Sequence, residues 1–322
     1  ALVIGISYFI PCVIPNTYLY LSILSFTLLR SFLLEVIRAR FRIFHQNKSF
    51  AYTELVYSIV LLVSASLFGY LLNDMGYALA ILFSPFLTFL LFYKKVMHSL
   101  DPKIEHLNID VAFWKYGFFA SLSNVVTQLL FIIDLILVGY ILVDPEMVTQ
   151  YKYISIIPFS LLFIPRVVIN TDFVSFTEKI HDKQHIATYV KSYLLFFSLL
   201  SVGMLIFSYF LGEYILGFIS TDYVQFFDAF FILMLGVSGV FILRGLFGNL
   251  LSAIGKAPIN YYIASFALVL NFVLNFQFIP KLGLTGAAIT SCILMWLTGI
   301  LSTLFFYYYY QNLTFQAAKN KG

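Results

Sequence analysis

Residues 226–252 read FFDAFFILMLGVSGVFILRGLFGNLLS. The stretch is longer than the roughly 20 apolar residues that cross a bilayer. Its one charge well inside is Arg244. The same pattern recurs along the whole chain. Apolar stretches cover about 1–14, 18–38, 51–73, 76–93, 117–142, 148–170, 188–212, 226–252, 258–279 and 284–309, which predicts about ten membrane spans. Helix-stop residues punctuate them: Asn73-Asp74, Asp144-Pro145, Gly255-Lys256-Ala257-Pro258 and Pro280-Lys281-Leu282-Gly283.

Composition agrees. Hydrophobic residues make up 61% of the 322, against about 45–50% in soluble domains. Charged residues are 11%, and most lie in the gaps between spans. Tyrosines collect at span ends, as in Tyr307 to Tyr310, where an amphipathic ring suits the headgroup layer. Cys12 and Cys292 lie in separate apolar runs and read as inert thiols, and the five histidines have no ligand spacing, so no metal site is expected. The net charge of +4 comes from loop residues and is not a nucleic-acid signature.

Basic residues alternate between loops. One set holds Arg38, Arg40, Arg42, Lys48, Lys94, Lys95, Lys103, Lys115, Arg166, Lys179, Lys183, Lys191, Lys256, Lys319 and Lys321; the other holds only Lys152 and Lys281. The basic side faces the cytoplasm, which predicts both ends of the chain inside. The gap at 94–116 mixes Lys94, Lys95, Asp101, Lys103, Glu105, Asp110 and Lys115 and reads as a cytoplasmic linker. It divides the chain into an N-terminal lobe, 1–93, of four spans and a C-terminal lobe, 117–322, of six.

The lobes echo each other. Leu28-Leu29-Arg30-Ser31-Phe32 resembles Ile242-Leu243-Arg244-Gly245-Leu246, and Gly76-Tyr77-Ala78-Leu79-Ala80 resembles the stretch opening at Gly283 and running through Gly286-Ala287-Ala288. Both run the same way through the membrane, which predicts parallel repeats about an axis along the membrane normal. Matched lobes would require two further spans before Ala1, so the expectation is an N-terminally truncated chain whose parent fold has twelve or more helices.

Three charges lie deep in spans: Arg30, Asp134 and Arg244. Intramembrane charge is costly and marks functional positions. Arg30 and Arg244 read either as snorkelling side chains or as an anion site, one guanidinium per lobe lining a shared cavity, where the planar fork suits phosphate. Asn124, Thr127, Phe131 and Asp134 fall on one helix face. That stripe reads as an interhelical seam or as a protonatable or cation-coordinating site. Glu35 and Arg38 suit a local ion pair, Glu54 and Asp172 read as solvated, and Asn271 and Asn275 as residues joining helices. No Gly-rich nucleotide loop occurs, and no outer gap is long enough for a catalytic domain, so no catalytic residue and no cofactor is expected.

Several stretches resemble the polysaccharide flippases of the multidrug/oligosaccharidyl-lipid/polysaccharide exporter superfamily. They are Asn249 to Lys256, Leu268 to Asn275, Ile279-Pro280 with Gly283 and Gly286-Ala287-Ala288, Asp134 with its flanks, Gln150-Tyr151, and Ile164-Pro165. The resemblance implies two pseudo-symmetric lobes in a bacterial inner membrane. It implies lipid-linked oligosaccharide on undecaprenyl diphosphate as the substrate, moved from the inner to the outer leaflet by alternating access. H+ or Na+ are candidate coupling ions, and polysaccharide polymerase and chain-length proteins candidate partners. Arg30 and Arg244 would meet the diphosphate, and Asp134, Asn124 and Thr127 would be the ion-coupling or cavity polar residues. A cation-coupled multidrug exporter of the same superfamily and a membrane polysaccharide polymerase are the alternatives.

Overall fold

The computed structural model describes residues 17–97 and 110–319; the span expected at 1–14, with Cys12, and most of the linker lie outside them. Every regular element among the described residues is helical, and this is an all-α polytopic membrane protein. The chain divides into two compact units, Ala1–Leu107 and Asn108–Gly322.

The first unit contains α1 (Thr17–Ile43) and α2 (Asn47–Met97). α2 is 51 residues long, too long for one pass, and it folds back on itself at Asn73, where φ is 51° and ψ is −131°. The Ser64 and Ser84 hydroxyls hydrogen-bond across the fold at 3.0 Å. In a straight helix they would lie about 30 Å apart. Gly76 lets the second arm approach, because a Cβ there would overlap the Phe68 carbonyl. Arg38 joins α1 to α2 through Glu54 (Nε to Oε1, 2.7 Å) and also pairs with Glu35 at 2.5 Å. Glu54 is therefore an ion-pair partner, where the sequence suggested a solvated side chain.

The second unit begins with α3 (Val111–Leu142), capped by Asp110. A broken pair follows, α4 (Pro145–Leu161) and α5 (Phe163–Glu178). Asp144 caps α4 ahead of Pro145, and the interruption at Leu162 lies between Pro158 and Pro165, as prolines without a donor N–H dictate. Next come α6 (Lys183–Ile219), capped by Asp182, a 3₁₀ turn (Thr221–Phe226) and α7 (Phe227–Gly239). A π-helical turn, Val240–Arg244, inserts one residue before α8 (Gly245–Ala253). The unit closes with α9 (Ala257–Leu282) and α10 (Leu284–Lys319). Two apolar clusters fill it. Phe176, Tyr193, Phe197, Phe241, Phe247 and Phe306 form one, and Leu137, Val138, Tyr151, Ile154, Phe230 and Ile279 the other.

Among the described residues, seven helical segments are long and apolar enough to cross a membrane, against nine expected from the sequence there. The difference has two sources. Asn47–Lys94 counts once yet doubles back at Asn73, and α1 is not among the seven.

The repeat is visible in the backbone, in a register that differs from the echo. Among the described residues five positions have positive φ, and four of them pair at a constant shift of 210 residues: His45 (53°) with Gly255 (76°), and Asn73 (51°) with Gly283 (58°). The turn bonds repeat with them. Phe44 N–H to Arg40 O, His45 N–H to Arg42 O and Gln46 N–H to Phe41 O match Ile254 to Leu250, Gly255 to Ser252 and Lys256 to Leu251. Gly286, the counterpart of Gly76, faces the Phe278 carbonyl just as Gly76 faces Phe68. Gly76 thus corresponds to Gly286, not Gly283. Arg244 corresponds to Leu34, and Arg30 falls about one helical turn away. Four-residue steps look alike in apolar helix sequence; backbone turns cannot slip in that way.

Candidate functional site

The Asp134 carboxylate is fully buried in the second unit. Asn271 and Asn275, one turn apart on α9, donate from Nδ2 to Oδ1 at 2.7 and 2.8 Å. Ser291 of α10 donates to Oδ2. Asn275 Nδ2 also reaches Asn271 Oδ1 at 2.8 Å. From α4, fully buried Tyr151 brings its hydroxyl up to Asp134 and Ser291, although no hydrogen bond of ordinary geometry forms. Four helices therefore converge on one carboxylate. Asp134 lies about eight residues from the end of α3, and Asn275 and Ser291 each lie about eight from Gly283, which is roughly 12 Å of helix.

No Lys, Arg or His is among the hydrogen-bond partners of this carboxylate. Neutral donors hold it, and Asn275 Oδ1 is sealed with nothing to accept from. Carboxylate, amide and hydroxyl oxygens form a hard donor set, suited to a proton or a small hard cation. An amide turned about its Cβ–Cγ axis would exchange Nδ2 for Oδ1 and present a second oxygen.

The polar stripe expected on α3 is divided. Asp134 is buried and Thr127 half-buried, while Asn124 is exposed, and no hydrogen bond joins either to Asp134. A helix face about 15 Å long passes several environments, so sharing a face does not mean sharing a site. Asn271 and Asn275 do join helices, as expected, but through a carboxylate. Ser291 and Tyr151 carried no signal of this role, because a lone serine or tyrosine in an apolar run is unremarkable.

Arg244 occupies a second polar position, in the other core cluster. Its Nη1 donates to Asn260 Oδ1 at 3.2 Å and to Ser302 Oγ. Asn260 is fixed in turn by its Nδ2, which donates to Gly248 O at 2.6 Å and Ser252 Oγ at 3.0 Å. The guanidinium leans one turn along its helix, over Gly248, where a Cβ would sit in ordinary van der Waals contact with it. It has snorkelled, but onto neutral acceptors. Arg244 Nη2 and Nε make no hydrogen bond and are not sealed from solvent, and no carboxylate lies within 4 Å among the described residues. Gly245 serves a different contact, close packing against Tyr193 and Pro165.

In the first unit, Arg30 lies over the Phe83 and Phe86 rings at 4.8 and 5.1 Å, with Nη1 enclosed and unpartnered. Asp172, read as solvated, accepts from Tyr189 Oη at 3.0 Å. Compared with known proteins, the chain matches no family model and no curated sequence at a significant level.

Proposed function

We propose that this chain moves an anionic, lipid-linked oligosaccharide across a bacterial inner membrane by alternating access, with the C-terminus cytoplasmic. The observation that carries the reading is Arg244, a half-buried guanidinium with only neutral acceptors and two free donor edges. A buried charge without a counter-charge is expensive, and an anionic ligand that supplied one would be bound strongly. Arg30, over two aromatic faces, offers a second cation. The identity of the ligand as an undecaprenyl diphosphate oligosaccharide rests on the sequence resemblance over 244–290.

In this mechanism the Asp134 cluster is the coupling site. Binding of H+ or Na+ neutralises the carboxylate and tightens α3, α4, α9 and α10 around it; release leaves a buried charge that loosens them. The site then biases two conformations of the unit by its differential affinity for the ion. A cation-coupled drug exporter would use the same carboxylate, and Asp134 favours that reading as the second choice. Arg244 separates the two, since a cationic drug gains nothing from it.

The test is reconstitution in vesicles with a labelled lipid-linked oligosaccharide. Arg244→Ala is expected to reduce translocation at least tenfold and Arg244→Lys to restore part of it. Normal rates in Arg244→Ala would overturn the anion-site reading. Drug efflux without oligosaccharide translocation in the intact protein would establish the alternative.

A further inference from the structure

A groove of about 350 Å³ lies between α9 and α10, lined by Ile259, Tyr262, Ile263, Phe266, Leu301 and Phe305. Its walls are almost wholly apolar, and its volume is in the range of small-molecule sites, about 300–1,000 Å³. Tyr262 and Phe266 are more than half exposed, so it opens to the outside of the unit.

The helical register fixes what stands at its end. Ile259, Ile263 and Phe266 form a stripe of α9 that starts one turn after Lys256, the residue just before the helix, and Leu301 and Phe305 continue on α10 to Tyr309. The two stripes meet there, with Lys256 Nζ 4.9 Å from the Tyr309 ring centroid. Lys256 has no carboxylate within 4 Å among the described residues. The same end of the unit is basic. Tyr310 Oη bonds Ile180 O at 2.9 Å, which brings in the turn bearing Lys179 and Lys183, and Tyr116 Oη bonds Ser252 O at 3.0 Å, which brings in Lys115. Glu178 and Asp182 share that turn, the latter occupied as the cap of α6.

An apolar channel along the helices that ends at an unpaired ammonium beside a tyrosine has the polarity of a phospholipid. We infer that the α9–α10 groove is a binding site for an anionic phospholipid, with an acyl chain along Ile259, Ile263, Leu301 and Phe305 and the headgroup phosphate at Lys256. A Lys or Arg of the protein at the membrane surface attracts anionic headgroups, so one well-placed lysine distinguishes lipids by charge. None of its lining residues is a hydrogen-bond partner of Asp134 or Arg244, and the inference does not depend on what is transported.

The experiment is thermal unfolding of the full chain in neutral detergent, with phosphatidylglycerol or phosphatidylcholine of identical acyl chains. A ligand that binds only the folded state raises the midpoint. Phosphatidylglycerol is expected to raise it more. Lys256→Gln should remove at least half of that difference, and Lys183→Gln, at the same end but outside the groove, should leave it. Ile259→Trp, which fills the groove, should abolish stabilisation by both lipids. Should Ile259→Trp fold poorly, native mass spectrometry of Lys256→Gln gives the second reading, with fewer bound phosphatidylglycerol molecules than the parent. Equal shifts for the two lipids, or an unaltered difference in Lys256→Gln, would overturn the site. So would a dimer that Ile259→Trp dissolves, because the occupant would then be a second copy.

Discussion

Where the second unit has Arg244, Asn260 and Ser302, the first has Leu34, Phe50 and Phe92 at the same backbone positions. Where the second has Asn271, Asn275 and Ser291 around Asp134, the first has Leu61, Ala65 and Ile81. The hairpins that carry these residues share their turns, their positive-φ residues and their close glycine contact. Buried positions repeat too: Ile37 with Phe247, Phe41 with Leu251, Ala78 with Ala288, Thr88 with Thr298. One backbone plan therefore supports either an apolar seam or a polar one. In the first unit the seam is filled by packing, with Phe41 and Phe92 in a T-shaped contact. The polar seams of the second join their helices through hydrogen bonds instead, and each carries an ionisable group without an opposite charge.

The largest expected effect comes from making the second unit half like the first. Asn271→Leu with Asn275→Ala removes two donors from a buried carboxylate and should cost about 3–5 kcal/mol, read as a fall in the thermal unfolding midpoint. Adding Ser291→Ile and Asp134→Leu removes the carboxylate as well. Stability should then return to within about 1 kcal/mol of the parent, because the carboxylate and its three donors go together and the buried Tyr151 hydroxyl is without a hydrogen bond in either case. Translocation should stay absent. A quadruple variant that remains unstable would mean the cluster is chiefly structural.

Next come the hairpin glycines. Gly76→Ala and Gly286→Ala each force a methyl group against a carbonyl and should cost about 1–3 kcal/mol in the same assay. If the repeat is energetic as well as geometric, the two costs should match; a cost at only one site would confine the likeness to the backbone trace. Arg244→Leu installs the residue of the first unit. It should change stability by less than about 1 kcal/mol while lowering translocation, and a large loss of stability would make Arg244 a structural residue. The smallest effect is at Asn73, whose φ and ψ suit glycine, the residue at its counterpart Gly283. Asn73→Gly should raise stability by about 0.5–1 kcal/mol, and a decrease would show that the asparagine side chain contributes something the turn geometry does not.

Much of this was legible beforehand. Apolar run lengths gave helices across a membrane, and the residues between runs, Asp110, Asp144 and Asp182, became caps, as their side chains favour. The Glu35–Arg38 pair followed from three-residue spacing. Asp134, Arg30 and Arg244 stood out because charge is rare in such runs. Their partners did not. Asn260, Ser302, Ser291 and Tyr151 lie on other helices, up to 157 positions away, and polar residues of modest cost give no sign of which neighbour they face.

By itself, then, the sequence determined that this chain is a helical membrane protein with a few buried charges, since the cost of polarity in hydrocarbon is written residue by residue. The tertiary structure decided the rest: that the repeat runs at a shift of 210 residues, that Arg244 stands opposite Leu34 instead of Arg30, and that four helices meet at Asp134. Register between similar helices depends on how turns close and side chains pack, and those are contacts between distant residues that no local pattern encodes.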